Sequence, residues 1–190
     1  TNKDQESSSC PPLPGITAGP NQPAAVLIPL FKDQKDWKVL FIKRTHQESD
    51  RHSGQIAFPG GRVDPSDRSL VETALRETSE EIGLDPHMIE ILGQSCTRTT
   101  VTGYEVTPFV GILPWPVPLV LSTDEVEKTL VIPLNWLADP ANRRTENWQS
   151  RSLSGKEIPV TFFDEFAGEI LWGATAQILL DFLELIQGNG

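Results

Sequence analysis

The sequence predicts an α/β fold of the α+β kind, a mixed β-sheet held between helices. Three observations point there. Strand-like runs come first, one strong helix follows, then more strands and a closing helix. No sustained strand–helix–strand alternation occurs, which argues against a doubly wound parallel sheet. No internal repeat occurs, and 190 residues suit one domain of roughly 150 residues with some excess.

The elements follow in order. Residues 1–23 read as a flexible or extended tail, punctuated by Ser7–Ser9 and by Pro11, Pro12, Pro14, Pro20 and Pro23 without apolar periodicity. The domain is expected over residues 24–190. Ala24–Phe31 is apolar throughout, as a strand buried on both faces would be. Asp33–Asp36 makes a turn and Trp37–Lys43 a second strand, together a hairpin. Arg44–Ser53 is a polar loop. Gln55–Phe58 is a short strand that stops at Pro59-Gly60-Gly61. Ser66–Ile82 is the clearest helix, capped by Ser66 or Asp67, with Val71, Ala74, Leu75, Thr78 and Ile82 as its inward stripe and Gly83 as its stop. Ile89–Leu92 and Cys96–Val101 are strand-like. Tyr104–Leu113 is a longer strand in which Pro108 implies an edge or a bulge. Pro114–Pro118 is a stiff loop, Glu127–Ile132 a strand, and Leu134–Ala138 a short helix. Asn142–Gly155 is a polar loop or hairpin, Val160–Phe163 and Gly168–Trp172 are short strands, and Ala174–Ile186 is the closing helix.

Acids number 26 and bases 16, for a net charge of −10. With a pI near 4.7, a basic face for nucleic acid or an anionic membrane is excluded. No run approaches the roughly 18–20 apolar residues of a membrane span, and no secretory start is visible. The expected partner is a small molecule. An acidic protein handling an anionic substrate needs a bridging cation. Two cysteines, Cys10 and Cys96, are too few for a disulfide scaffold and lack metal-type spacing. They read as reduced thiols of a cytoplasmic protein. A homo-oligomer is left open.

The chemistry concentrates on the helix. Glu77, Glu80 and Glu81 stand at i, i+3 and i+4, within an arc of about 100°. Like charges so placed repel, and a divalent cation held by hard oxygens, Mg²⁺ or Mn²⁺, relieves them. An isolated E-x-x-E-E run is ordinarily a solvated face. Here, however, Phe58-Pro59-Gly60-Gly61 precedes the helix, and paired glycines let a backbone bend and approach a ligand. Arg76, four residues before Glu80, can hold that carboxylate.

These residues resemble the Nudix box, G-x5-E-x7-R-E-U-x-E-E-x-G-U with U apolar. Arg76-Glu77-Thr78-Ser79-Glu80-Glu81-Ile82-Gly83-Leu84 matches its second half, with Thr78 at an apolar position. Upstream, Gly61 leads after five residues to Asp67, where the pattern has Glu, and eight residues rather than seven separate Asp67 from Arg76. Gly54-Gln55-Ile56-Ala57-Phe58-Pro59-Gly60-Gly61 is similar to the G-x3-F-P-G-G signature of the coenzyme A pyrophosphatase branch. Val101–Pro108 and Ile170–Ala176 also look like bacterial members of that branch. The resemblance covers roughly residues 24–185.

The resemblance implies a Nudix-like α/β/α sandwich and metal-dependent hydrolysis of a nucleoside diphosphate derivative. For the branch this means coenzyme A or its thioesters, giving 3′,5′-ADP and 4′-phosphopantetheine. Glu77, Glu80 and Glu81 would be the metal ligands. Glu77 and Glu81 would also be catalytic, with Arg76 holding the cluster. Glu125 is the first candidate for general base and Glu105 the second. Arg44, Arg51 and His52 would contact phosphates, Gly60 and Gly61 would approach the ligand, and Tyr104 could stack on a base. Trp115, Trp136, Trp148 and Trp172 read as packing. Two alternatives stand beside this: another substrate such as ADP-ribose or a dinucleotide, or a non-catalytic Nudix-fold binding module. No EF-hand pattern supports a Ca²⁺ loop.

Overall fold

The computed structural model describes Cys10 and residues 21–46, 54–149 and 157–188. The first two strands set the layout. β1 (Gln22–Asp33) and β2 (Asp36–Arg44) form an antiparallel hairpin, with Leu30 opposite Val39 and Asp33 opposite Asp36. Side chains on a strand alternate between faces. Ala25, Leu27 and Phe31 enter one core with Ala74 and Ile82. Ala24, Ile28 and Leu30 enter another with Ile178, Leu179 and Phe182. Both faces are covered, which is why Ala24–Phe31 is apolar throughout. The expected α/β/α sandwich is the observed one.

The first face is covered by α1 (Leu70–Ile82) and the second by α3 (Gly173–Gln187), with α2 (Leu134–Ala138) beside it. β7 (Tyr104–Ile112) runs parallel to β1 over its length, from Gln22 opposite Tyr104 to Leu30 opposite Ile112. β5 (Glu90–Gln94) and β6 (Arg98–Thr99) lie antiparallel on the far side of β7, and β8 (Val126–Pro133) lies antiparallel on β2. The sheet is therefore mixed, as expected. β9 (Arg143–Gln149) and β10 (Glu157–Phe163) form a separate antiparallel ribbon.

One feature positions the site. β1 and β2 pair only from Leu30 and Val39 to the turn, and then they part. Two short strands that follow β2 fill the gap: β3 (Ile56–Ala57) pairs with β2, and β4 (Gly60–Arg62) pairs with β1. The Gly60-Gly61 turn is thus wedged into the middle of the sheet, beside α1.

Several expectations need correction. Helix α1 starts at Leu70 and is capped by Ser69, whose hydroxyl accepts from the Glu72 N–H at 3.3 Å. Ser66 and Asp67 are not the cap, because Ser66 is bonded to Asp64 and Asp67 to Arg76. Gly83 ends the helix as expected, at φ +71°. Thr78 tolerates full burial because its hydroxyl donates to the Ala74 carbonyl at 2.7 Å. Pro108 is not on an edge strand. Its carbonyl accepts from the Ser95 N–H at 2.8 Å, at the break between β5 and β6, and its missing N–H faces that same break. Gly168–Trp172 forms isolated bridges rather than a strand. Of Asn142–Gly155, Arg143–Gln149 is one arm of a hairpin, and residues 150–155 lie outside the described residues.

The cysteines are not reduced thiols. Cys10 and Cys96 form a disulfide with Cα atoms 5.2 Å apart, and the Cys10 N–H donates to the Thr97 carbonyl at 3.2 Å. This fixes one point of the tail to the sheet edge. It also removes free thiols as an argument for a cytoplasmic location. Among the described residues no helix is long and apolar enough to cross a membrane.

Candidate active site

The site is built around the turn between β3 and β4. Gly60 has φ +150°, and a Cβ there would collide with the Ala25 carbonyl and Val26 Cα of β1. A Cβ on Gly61 would collide with the Glu77 carboxyl. Gly60 is therefore required by space and by its backbone angle, whereas a side chain at Gly61 would push the Glu77 carboxyl from its place. The turn is held to α1 by the Gly60 N–H, which donates to Glu81 Oε2 at 2.9 Å.

Glu81 is the unusual member of the carboxylate set. Its side chain is only 2% exposed, and Arg44 Nη1 at the end of β2 stands 3.6 Å from its Oε1. Burial pushes its carboxyl up to about 8, against the opposing pull of the Gly60 N–H and Arg44. Burial also raises Glu77, partly offset by Arg76 at 3.0 Å. Glu80 differs from both. It is mostly exposed and bonded to Arg76 at 3.0 Å.

Arg76 organises the outer side. Its Nε and Nη2 donate to the two oxygens of Asp67 at 2.9 and 3.0 Å, and Nη2 also donates to the Arg62 carbonyl at 3.0 Å. Asp67 is buried and accepts further bonds from the Asp64 N–H at 2.9 Å and the Thr73 hydroxyl at 2.8 Å. Chiefly because of Arg76, its carboxyl lies well below the usual range. The shorter acid and the extra residue thus still tie the loop to the helix.

Glu125 is stationed by backbone bonds. The Thr45 N–H donates to the Glu125 carbonyl at 2.9 Å, the Ser122 N–H to the Glu81 carbonyl at 3.0 Å, and the Glu125 N–H to the Ser122 carbonyl at 2.9 Å. The loop before β8 is thereby fixed to both β2 and α1.

Glu77, Glu81, Glu125, Arg44, Gly60, Gly61 and Tyr104 all line one cavity of about 1030 Å³, at the upper end of the range for ligand pockets. The structure brings these predicted residues together. Glu80 and Arg76 stand outside the lining and Glu105 is exposed on β7. Arg51 and His52 lie outside the described residues. Tyr104 faces the cavity but carries the Arg62 guanidinium over its ring at 5.3 Å. The sequence reading missed Arg98, Trp148 and Trp172 as lining residues. Arg98 is bonded twice to Asp181 of α3 at 2.6 Å. No local pattern marks these three, because they come from β6, β9 and the start of α3 and meet only in the fold. Trp115 and Trp136 do pack, on Phe31 and Phe166 respectively.

The NUDIX domain model matches residues 20–178. The chain belongs to the Nudix family. This Nudix chain is 33% identical over 177 residues to a protein of Photorhabdus laumondii named "Uncharacterized Nudix hydrolase NudL", covering 93% of this chain and 91% of the relative. A protein of the same name from Yersinia pestis is 31% identical over 159 residues, covering 84% and 77%. Among solved structures, the Caenorhabditis elegans Ap4A hydrolase binary complex superposes with a TM-score of 0.57 at 17% identity, covering 87% of this chain and 98% of that one. A MutT/nudix family protein from Enterococcus faecalis gives 0.56 at 18% identity, covering 90% and 64%. Both share the fold.

The protein is accordingly a Nudix hydrolase, a class that acts on nucleoside diphosphate derivatives with divalent metal ions. The residues present fit such an ion. Burial raises the Glu77 and Glu81 carboxyls despite their neighbouring arginines, so charge compensation at the cavity wall is incomplete. The donors are hard oxygens, as Mg²⁺ and Mn²⁺ require.

Proposed function

We propose that this Nudix hydrolase cleaves the pyrophosphate bond of coenzyme A or its thioesters, releasing 3′,5′-ADP and 4′-phosphopantetheine or its acyl form. The observation that carries this is the Gly54–Gly61 segment, which resembles the coenzyme A branch and forms the turn over Glu77 and Glu81. The size of the cavity supports a long substrate with two arms.

Glu77, Glu80 and Glu81 would hold Mg²⁺ or Mn²⁺, which supplies positive charge to the pyrophosphate and acidifies water. Arg44, at the cavity wall, binds a phosphate oxygen, and Arg51 and His52 are proposed as further phosphate contacts. Glu125 faces the cavity on a fixed backbone and takes the proton of the attacking water. Arg76 fixes Glu80 and, through Asp67, the loop that carries Gly61. Gly60 orients Glu81.

The test is a substrate panel of coenzyme A, dephospho-coenzyme A, ADP-ribose and NADH, with and without Mg²⁺ or Mn²⁺. Release of 3′,5′-ADP from coenzyme A is expected. If the other three are all cleaved faster, the substrate reading fails. If nothing is cleaved and Glu81→Gln leaves ligand binding unchanged, the protein is a binding module.

A further inference from the structure

We propose that Trp148 and Trp172 form a stacking platform for the substrate's purine base, which makes Trp148 a substrate-binding residue. The inference deepens the proposed function and rests on its assignment of an adenine-containing substrate.

Three aromatic rings meet where the β9–β10 ribbon approaches the start of α3. The Trp148 and Trp172 rings are 5.5 Å apart at 5° between planes. Phe162 lies 5.7 Å from Trp148 and 5.6 Å from Trp172, also near-parallel. The Arg144 guanidinium covers the Phe162 ring at 5.5 Å. Phe162 is buried and does not line the cavity, whereas both tryptophans do. The ring surface offered to a ligand is therefore that of the two tryptophans.

Trp148 is 47% exposed, on a strand whose other residues are polar and mostly exposed. A large ring held there, parallel to its neighbour and facing a cavity, is suited to a flat partner. Stacking on an aromatic face suits any base and needs no charge, so an acidic protein can use it without a basic patch. A flexible apolar arm has its own wall in the same cavity, formed by Val26, Phe58, Val106 and Ile178. The two walls differ in shape. One is planar and aromatic, the other mainly aliphatic. A substrate with a base at one end and a chain at the other matches both.

The experiment titrates tryptophan emission of wild type, Trp148→Phe and Trp148→Ala with 3′,5′-ADP and, separately, with 4′-phosphopantetheine, and measures kcat and KM for coenzyme A. Trp148→Ala should raise the Kd for 3′,5′-ADP and the KM for coenzyme A about tenfold and leave kcat near wild type. Trp148→Phe should retain most of the affinity, and the Kd for 4′-phosphopantetheine should not change. An unchanged Kd for 3′,5′-ADP in Trp148→Ala overturns the platform. An equal rise for both ligands also overturns it, because that is general damage to the cavity. If coenzyme A is not hydrolysed but 3′,5′-ADP binding still depends on Trp148, the substrate reading falls and the platform stands.

Discussion

Glu81 should make the metal-free protein less stable as pH rises, and replacing it with glutamine should remove that effect. The carboxyl is moved by burial from its ordinary 4.5 to about 8. A raised acid keeps its proton in the folded chain at a pH where the unfolded chain has lost it. Below about 4.5 both states are protonated and Glu81 costs nothing. Between 4.5 and 8 the unfolded state is progressively favoured. At about 1.36 kcal/mol per pH unit the ceiling is about 5 kcal/mol, and local relaxation brings the expectation to a few kcal/mol. Asp67 does not interfere, because its depressed carboxyl gives stability that is complete above its unfolded value of about 4. The assay is urea denaturation of wild type and Glu81→Gln in chelator at pH 5, 6, 7 and 8. Glutamine keeps an acceptor for the Gly60 N–H. The two curves should agree near pH 5, and the variant should pull ahead by a few kcal/mol at pH 8. Taking the difference cancels the titrating groups that do not interact with Glu81, and leaves its coupling to Glu77 and Glu125 as a smaller contribution. A constant difference across the range would refute the reasoning. Saturating Mn²⁺ should abolish the gap by favouring the charged carboxylate.

Gly61→Ala should lower activity and Mn²⁺ affinity about 10- to 100-fold by displacing the Glu77 carboxyl, measured by kinetics across a metal titration. Asp67→Ala should cost about 1–3 kcal/mol in urea denaturation, because Arg76, the Asp64 N–H and the Thr73 hydroxyl all lose an acceptor. Cys10→Ser should cost about 2–5 kcal/mol without reductant, since the disulfide closes a loop of 86 residues. A thiol assay on the denatured, unreduced wild type should find no free cysteine; two free thiols would sink that prediction.

The sheet strands were legible because burial on both faces leaves a continuous apolar run, as in β1, and because the Asp33–Asp36 turn separates two such runs. Helix α1 was legible from its period, but its cap was not. Ser66, Asp67 and Ser69 all suit an N-cap, and Ser69 takes the place because Ser66 is bonded to Asp64 and Asp67 to Arg76. Of the edge or bulge that Pro108 implied, the edge fails and the irregularity stands, at the break between β5 and β6; which of the two applies is a property of neighbouring strands. The carboxylates were legible because one helix carries them all. Their inequality was not. Glu80 and Glu81 are adjacent in sequence, yet one is bonded to Arg76 in solvent and the other is sealed under Gly60. The disulfide was hidden because its partners are 86 residues apart and carry no local signal.

The two arginines divide the electrostatic work differently. Arg76 serves structure: with Asp67 it forms a doubly bonded, part-buried pair, and its remaining donors go to Glu77, Glu80 and the Arg62 carbonyl. Arg44 approaches Glu81 only to 3.6 Å, and burial still prevails there. Compensation is nearly complete where it fixes the loop and incomplete where the cavity begins. A sequence selected for stability alone would close that deficit with a nearer base or a glutamine. On the proposed function, a cation bound there would relieve the deficit and stabilise the folded chain, and the negative face of an acidic protein would become one that can accept a pyrophosphate.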